Sequence, residues 1–204
     1  MNGQMRRQAY GEDRPLSWVD RFGVWLSARG IRRFVPDFRG LAVADLGCGY
    51  KASFFRRIQG DVAAAWLVDV SLDPALKELP DTTCFEGDLL EGASAIPDSS
   101  VDVVMCISVL EHVWKPAEVL THIHRMLKPG GTCLLNVPTW LGKRFLEFSA
   151  FRVGLSPAEE MDDHKMYYGS RELWPLLVQA GFRPSRIRLI HHKFGLNLFA
   201  ACRK

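Results

Sequence analysis

The sequence has no Cys-x-x-Cys pair. Its five cysteines (Cys48, Cys84, Cys106, Cys133 and Cys202) are odd in number and far apart. This argues against a disulfide framework and for buried free thiols in a reducing compartment. No apolar run approaches the ~20 residues of a membrane-spanning helix. The amino-terminal stretch MNGQMRRQAYGEDRP has no apolar core of the kind a signal peptide needs. A cytoplasmic protein is expected, with no transmembrane segment and with peripheral membrane contact left open. Internal repeats and low-complexity tracts are also missing. The formal net charge of +3 over 204 residues is too small to argue for nucleic acid, although the stretch 29–39 is locally basic. That length suits one compact domain with its own core.

Alternating strand and helix signals fill the chain. Trp18, Phe22, Trp25 and Leu26 recur at helical spacing, so residues 1–40 read as a helical cap belonging to the same domain. The apolar stretches at 41–46, 63–70, 82–88, 101–110 and 131–137 read as strands. A helix is expected to start at 53–58. Another is expected over 115–127, with Pro116 in its first turn and Val119, Leu120, Ile123, Met126 and Leu127 on one face. A further helix over 170–180 would have Ser170 as its N-cap and Gly181 as its stop. Two closing strands, SRIRLI and NLFAACR, lie too close for a crossover and should pair antiparallel. The expected fold is α/β and doubly wound. Its sheet is mainly parallel and seven-stranded, with helices on both faces and an antiparallel last strand. Residues 138–169 lack a strong period but are rich in aromatics, and read as a lid over a site within the 41–204 body.

The stretch VADLGCGYKASF, residues 43–54, carries the first site signal. Gly47-Cys48-Gly49-Tyr50-Lys51-Ala52 formally fits the dinucleotide fingerprint G-x-G-x-x-[GA]. Asp69 stands about 20 residues on, where an acid holds ribose hydroxyls. By itself that pattern fits an NAD-dependent oxidoreductase. Asp45, two residues before the first glycine, redirects the reading. A carboxylate there repels a pyrophosphate and welcomes a cationic, amine-bearing ligand. Gly87-Asp88 ends the third strand with another acid, placed to accept from an adenine amine. SVLEHV (108–113) ends the fourth strand, and LKPGG (127–131) follows the next helix.

In order and spacing these motifs resemble the class I S-adenosylmethionine-dependent methyltransferases, most closely their small-molecule, type 11-like branch. The resemblance covers about 41–137 by motif, and the last helix and hairpin agree in order. It implies a Rossmann-like methyltransferase fold, with S-adenosylmethionine as cofactor. It also implies that Asp45, Gly47, Cys48 and Gly49 line the methionine part, that Asp69 and Val70 meet the ribose, that Asp88 and Leu89 meet the adenine, and that Ile107 and Ser108 flank the cofactor. Lys51 departs from the pattern, since many members carry a third glycine there. A non-catalytic module that keeps the fold stays open as an alternative, but the intact acid and glycine set argues against degeneration.

The acceptor is expected to be a small molecule rather than nucleic acid, because no Asn/Asp-Pro-Pro-aromatic turn follows the fourth strand. Glu111 and His112 read either as a helix-start pair or as base and anchor. His164, in DDHKMYY beside Asp162 and Asp163, is the second candidate base, since imidazole titrates near neutrality. Trp140, Tyr167 and Tyr168 are candidate pocket walls. No metal is expected, because Ser108 stands where metal-binding relatives carry an acid. His122 and His124 face different sides of one helix, and His191 and His192 fall near the last hairpin; none reads as a ligand. Segments of the sequence look similar to methyltransferases of polysaccharide or lipid-linked glycan synthesis, which points to O-methylation of a sugar or of a glycan- or lipid-linked precursor.

Overall fold

The computed structural model describes residues 9–12, 18–148 and 164–204, without the side chains at 19, 20 and 146–148. Its seven strands are β1 (Ala42–Leu46), β2 (Ala64–Asp69), β3 (Thr82–Glu86), β4 (Val101–Ile107), β5 (Leu127–Pro138), β6 (Ile187–His192) and β7 (Asn197–Arg203). They form one sheet in the order β3-β2-β1-β4-β5-β7-β6. The pairs from β3 through to β5 are parallel, and β7 runs antiparallel to both β5 and β6. The order reverses between β1 and β4, so the carboxyl ends of those strands open a crevice.

Helices cover both faces: α1 (Trp18–Phe34), α2 (Pro74–Lys77), α3 (Leu89–Ala95), α4 (Pro116–Met126), α5 (Trp140–Phe148) and α6 (Ser170–Gln179). Every residue of β1 is buried, as a central strand between two helical layers requires. Its alternate side chains enter two cores. Ala44 and Leu46 pack with Leu120 and Ile123 of α4 and with Leu173 and Leu177 of α6. Val43 packs with Ile31 of α1, Leu76 of α2, Phe55 and Phe199.

Several details differ from the sequence reading. The helix expected from 53–58 is a single 3-10 turn, Phe55–Arg57. Gly169, not Ser170, precedes α6, and the Glu172 carboxylate accepts from the Gly169 amide at 2.8 Å. The aromatic stretch after β5 contains α5, whose Trp140, Leu141 and Phe145 lie exposed. A helix with apolar residues on its open side shows no core-facing period. The α1 stripe also turns outward. Trp18, Phe22 and Trp25 are exposed, while Ser27, Ala28 and Ile31 are buried. Residues 149–163 of the expected lid, with Asp162 and Asp163, lie outside the described residues.

Gly92 lets α3 press onto the sheet. A Cβ there would stand 2.4 Å from Val68 Cγ1 and 2.7 Å from Phe85 Cδ1. Gly92→Ala is expected to lower stability in urea unfolding by about 1–3 kcal/mol. Gly60→Ala, where no atom lies within 4 Å of the new methyl, is expected to stay near wild type.

Candidate functional site

The loop after β1 is held by β2. Gly47 N donates to Val68 O at 2.7 Å, and Gly49 N donates to Asp69 Oδ2 at 2.7 Å. Asp69 Oδ1 accepts from Val70 N at 2.8 Å. Both oxygens of the carboxylate at the end of β2 therefore order backbone. Gly47 and Gly49 adopt φ of 72° and 77°, the left-handed region that glycine enters without strain. A Cβ on Gly47 would stand 2.3 Å from Val109 Cγ2. Lys51 is exposed and outside that region, and the buried Ala52 takes φ 43° instead. The absent third glycine thus leaves no left-handed strain at Lys51 itself.

Asp45 is the electrostatic centre. It is 6% exposed, on the central strand between β2 and β4. Burial, reinforced by Asp69, pushes its carboxyl up to about 7. Cys48 beside it is pushed well up by burial and then by Asp45 and Asp69, so its thiol stays protonated. A buried acid of this kind ionises when a cation arrives.

Asp88 caps α3, accepting from Leu90 N at 2.8 Å and Glu91 N at 3.2 Å through Oδ1. Leu89 opens that helix, and Leu89, Val70 and Ile107 are half-buried. Ser108 takes φ 58° at the end of β4, held by Asn136. Asn136 Nδ2 donates to Ser108 Oγ at 3.1 Å, and Ser108 N donates to Asn136 O at 2.8 Å. Asn136 Oδ1 is buried with no partner. The segment Ala9–Glu12 lies over the glycine loop: Tyr50 N donates to Tyr10 O at 3.0 Å, and Ser71 Oγ donates to Glu12 Oε2 at 2.5 Å.

The turn after β4 carries the second cluster. Glu111, 2% exposed, accepts through its backbone carbonyl from Lys165 N at 2.7 Å, which fixes the segment bearing His164. The His112 and His164 rings meet edge to face at 4.8 Å, and His164 Nδ1 lies 3.0 Å from the Tyr167 hydroxyl. Tyr167 in turn contacts Trp140 at 5.6 Å. Tyr168, expected to wall a pocket, packs into the core at 1% exposure, its hydroxyl donating to Leu110 O at 3.3 Å. Alternation along an extended segment turns these two tyrosines to opposite sides. Burial pushes the half-buried Lys193 ammonium down to about 8, against the opposing pull of Glu111.

Ligand atoms of Glu111, His112 and His164 all lie within 4.8 Å of one another, although no metal was expected. Asn136, Lys193 and Ala9–Glu12 were not anticipated as site residues. The polar break in CLLNV and Gly195, two residues after Lys193, carried signals for the first two, and nothing marked the third.

A glycine loop at an α/β switch point, beside a buried acid, suits a nucleoside cofactor bearing a cation better than a pyrophosphate. The sequence profile described as a methyltransferase domain matches residues 18–186, and the chain belongs to that family. The cofactor of this class is S-adenosylmethionine. The chain is 28% identical over 170 residues to a probable S-adenosylmethionine-dependent methyltransferase of Mycolicibacterium smegmatis, covering 81% of this chain and 61% of the relative. It is 33% identical to a tRNA U34 carboxymethyltransferase of Desulfotalea psychrophila (58% and 40% covered). It is 34% identical to a ubiquinone biosynthesis O-methyltransferase of Psychrobacter cryohalolentis (59% and 51% covered). The chain thus spans 40–61% of the length of these relatives. Among solved structures, the 1,6-didemethyltoxoflavin-N1-methyltransferase of Burkholderia thailandensis, with S-adenosylhomocysteine bound, superposes at a TM-score of 0.64. Its sequence identity is 16%, with 92% of this chain and 80% of that one covered.

Asp45 supplies a sign-definite prediction. Its folded-state value of about 7 lies above the ordinary 3.8, so the folded protein holds this proton more tightly than the unfolded chain. Its contribution to stability is fully present below about 4 and is lost as pH rises to about 7. At pH near 8, Asp45→Asn is expected to raise the melting temperature of the cofactor-free protein, by a gap that closes as pH falls toward about 4. Calorimetric titration with S-adenosylmethionine is expected to show wild-type affinity rising with pH through about 7 and the variant weak and flat. A wild-type affinity that ignores pH across this window would remove Asp45 from the site.

Proposed function

We propose that the chain methylates a hydroxyl oxygen of a small-molecule acceptor, a sugar or a glycan- or lipid-linked precursor. His112 and His164 supply the base. The observation that carries this reading is the imidazole pair, 4.8 Å between ring centroids, formed where the segment bearing His164 meets the turn that Val109 joins to Gly47. S-adenosylmethionine, when bound, supplies a methyl group already activated on a cationic sulfur. Asp45 would balance that charge, Gly47 and Gly49 would line the methionine part, Asp69 would hold the ribose hydroxyls, and Asp88 would meet the adenine. What remains for the protein is to align an acceptor, exclude water and take a proton.

An alcohol is a poor nucleophile until its proton starts to leave. A neutral imidazole within hydrogen-bond reach can accept it as the new bond forms. The Tyr167 hydroxyl, 3.0 Å from His164 Nδ1, fixes the orientation of that ring. Trp140 extends an aromatic wall beside it, suited to the apolar face of a sugar or ring. The ubiquinone-biosynthesis relative, an O-methyltransferase by name, supports the choice of oxygen.

The Glu111, His112 and His164 donors also favour a second reading, in which a divalent ion orients the acceptor oxygen. All three donor atoms lie within 4.8 Å of one another, close enough to share an ion. Lys193, however, already provides a positive charge near Glu111. The base reading is therefore preferred.

An S-adenosylhomocysteine-release assay over sugar, glycolipid and phenol acceptors tests both. With the best acceptor, His164→Ala or His112→Ala is expected to lower kcat by roughly 10²–10⁴ with cofactor affinity unchanged. Prior dialysis against a chelator is expected to leave the wild-type rate intact. Full activity in both variants would dismiss the imidazole base. Loss on chelation, restored by a divalent ion, would establish the metal reading instead.

A further inference from the structure

Helix α1 is fixed to the sheet by one face and bare on the other. Gly30 sits against Phe199, where a Cβ would be 3.1 Å from Cε2, and Ile31 is buried. The opposite stripe consists of Trp18 (75% exposed), Phe22 (47%) and Trp25 (47%). The helix's other exposed described side chains are all arginines: Arg21, Arg29, Arg32 and Arg33. Phe22 stacks on Trp25 at 5.7 Å, and the Arg29 guanidinium lies 5.9 Å from the Trp25 ring.

Two neighbours extend this face. In the turn after β6, Lys193, Phe194 and Gly195 take φ of 48°, 60° and 85°, leaving Phe194 86% exposed. Two successive non-glycine residues in the left-handed region cost energy, which here holds a phenyl ring in water. On the far side, α5 exposes Trp140, Leu141 and Phe145, with Arg144 among them. The three elements touch. Lys193 Nζ lies 3.8 Å from a Cβ position on Gly23 of α1, and Leu141 Cδ2 lies 3.7 Å from one on Gly195.

We infer that this face docks on an anionic phospholipid surface. Indole and phenyl rings settle at the headgroup boundary, and arginines pair with lipid phosphates. α1, about 25 Å long from 1.5 Å per residue, suits a helix lying flat in that plane. A second copy suits it poorly, since two-fold pairing of the face sets arginine stripe against arginine stripe. The docking does not rest on the acceptor chemistry proposed above. It adds direction, because Trp140 belongs both to this face and to the aromatic wall beside His164, so the acceptor side opens toward the lipid.

Co-sedimentation of the full chain with sucrose-loaded vesicles tests this. Vesicles of phosphatidylcholine with one third phosphatidylglycerol are expected to pellet the protein and to shift its tryptophan emission to the blue. Pure phosphatidylcholine, or high salt, is expected to reduce binding roughly tenfold. Phe22→Ser with Trp25→Ser, and separately Phe194→Ser, are expected to weaken binding by a similar factor. Circular dichroism and the melting-temperature rise with S-adenosylhomocysteine should stay at wild-type values. Absence of pelleting, or equal pelleting of wild type and variants, would overturn the assignment. So would a concentration-dependent dimer abolished by the paired variant, or displacement of bound vesicles by RNA.

Discussion

The absence of a side chain at Gly47 governs the spacing of the whole site. With Val109 already against its Cα, the cofactor loop and the turn carrying Glu111 and His112 meet at their closest possible separation. The same residue passes its amide to β2 through Val68 O. Three strand ends, those of β1, β2 and β4, therefore converge on one glycine. A methyl-transfer site needs this economy, since the reacting atoms must approach to about 3–3.5 Å without help from a flexible carrier.

Charge is distributed with similar economy. Asp45 is buried as an acid held near neutrality, and Lys193 as an ammonium close to release. One stands behind the glycine loop and the other near Glu111 on the turn after β4. Lys193 has the Glu111 charge beside it, whereas Asp45 stays costly to ionise until a cation arrives.

Much of this arrangement was legible in the sequence, and for identifiable reasons. Strands buried on both faces wrote themselves as continuous apolar runs, and the Lys115–Leu127 stretch showed its buried face directly. Asp45, Gly47 and Asp69 were readable because their spacing follows from a strand, a turn and a second strand. What escaped was long-range or inverted. Asn136 meets Ser108 only through the pairing of β4 with β5. Ala9–Glu12 reaches the glycine loop through backbone groups that no residue type announces. α1 read correctly as a helix, but a stripe of Trp and Phe at helical spacing does not say whether protein or solvent lies opposite. The exposed apolar side of α5 hid that helix altogether.

The anchoring of the segment from Lys165 to Tyr168 has one more consequence. Its amides are tied to Glu111 O and Pro138 O, and the Thr139 hydroxyl at the start of α5 is tied to Gly195 O and Leu196 O. Two posts at the carboxyl edge of the sheet are therefore clamped by hydrogen bonds to backbone, one at the start of α5 and one at Lys165–Tyr168. The contact between the His112 and His164 rings belongs to the second, so its geometry is set by bonds to the turn after β4 and to β5 and not by side-chain packing alone.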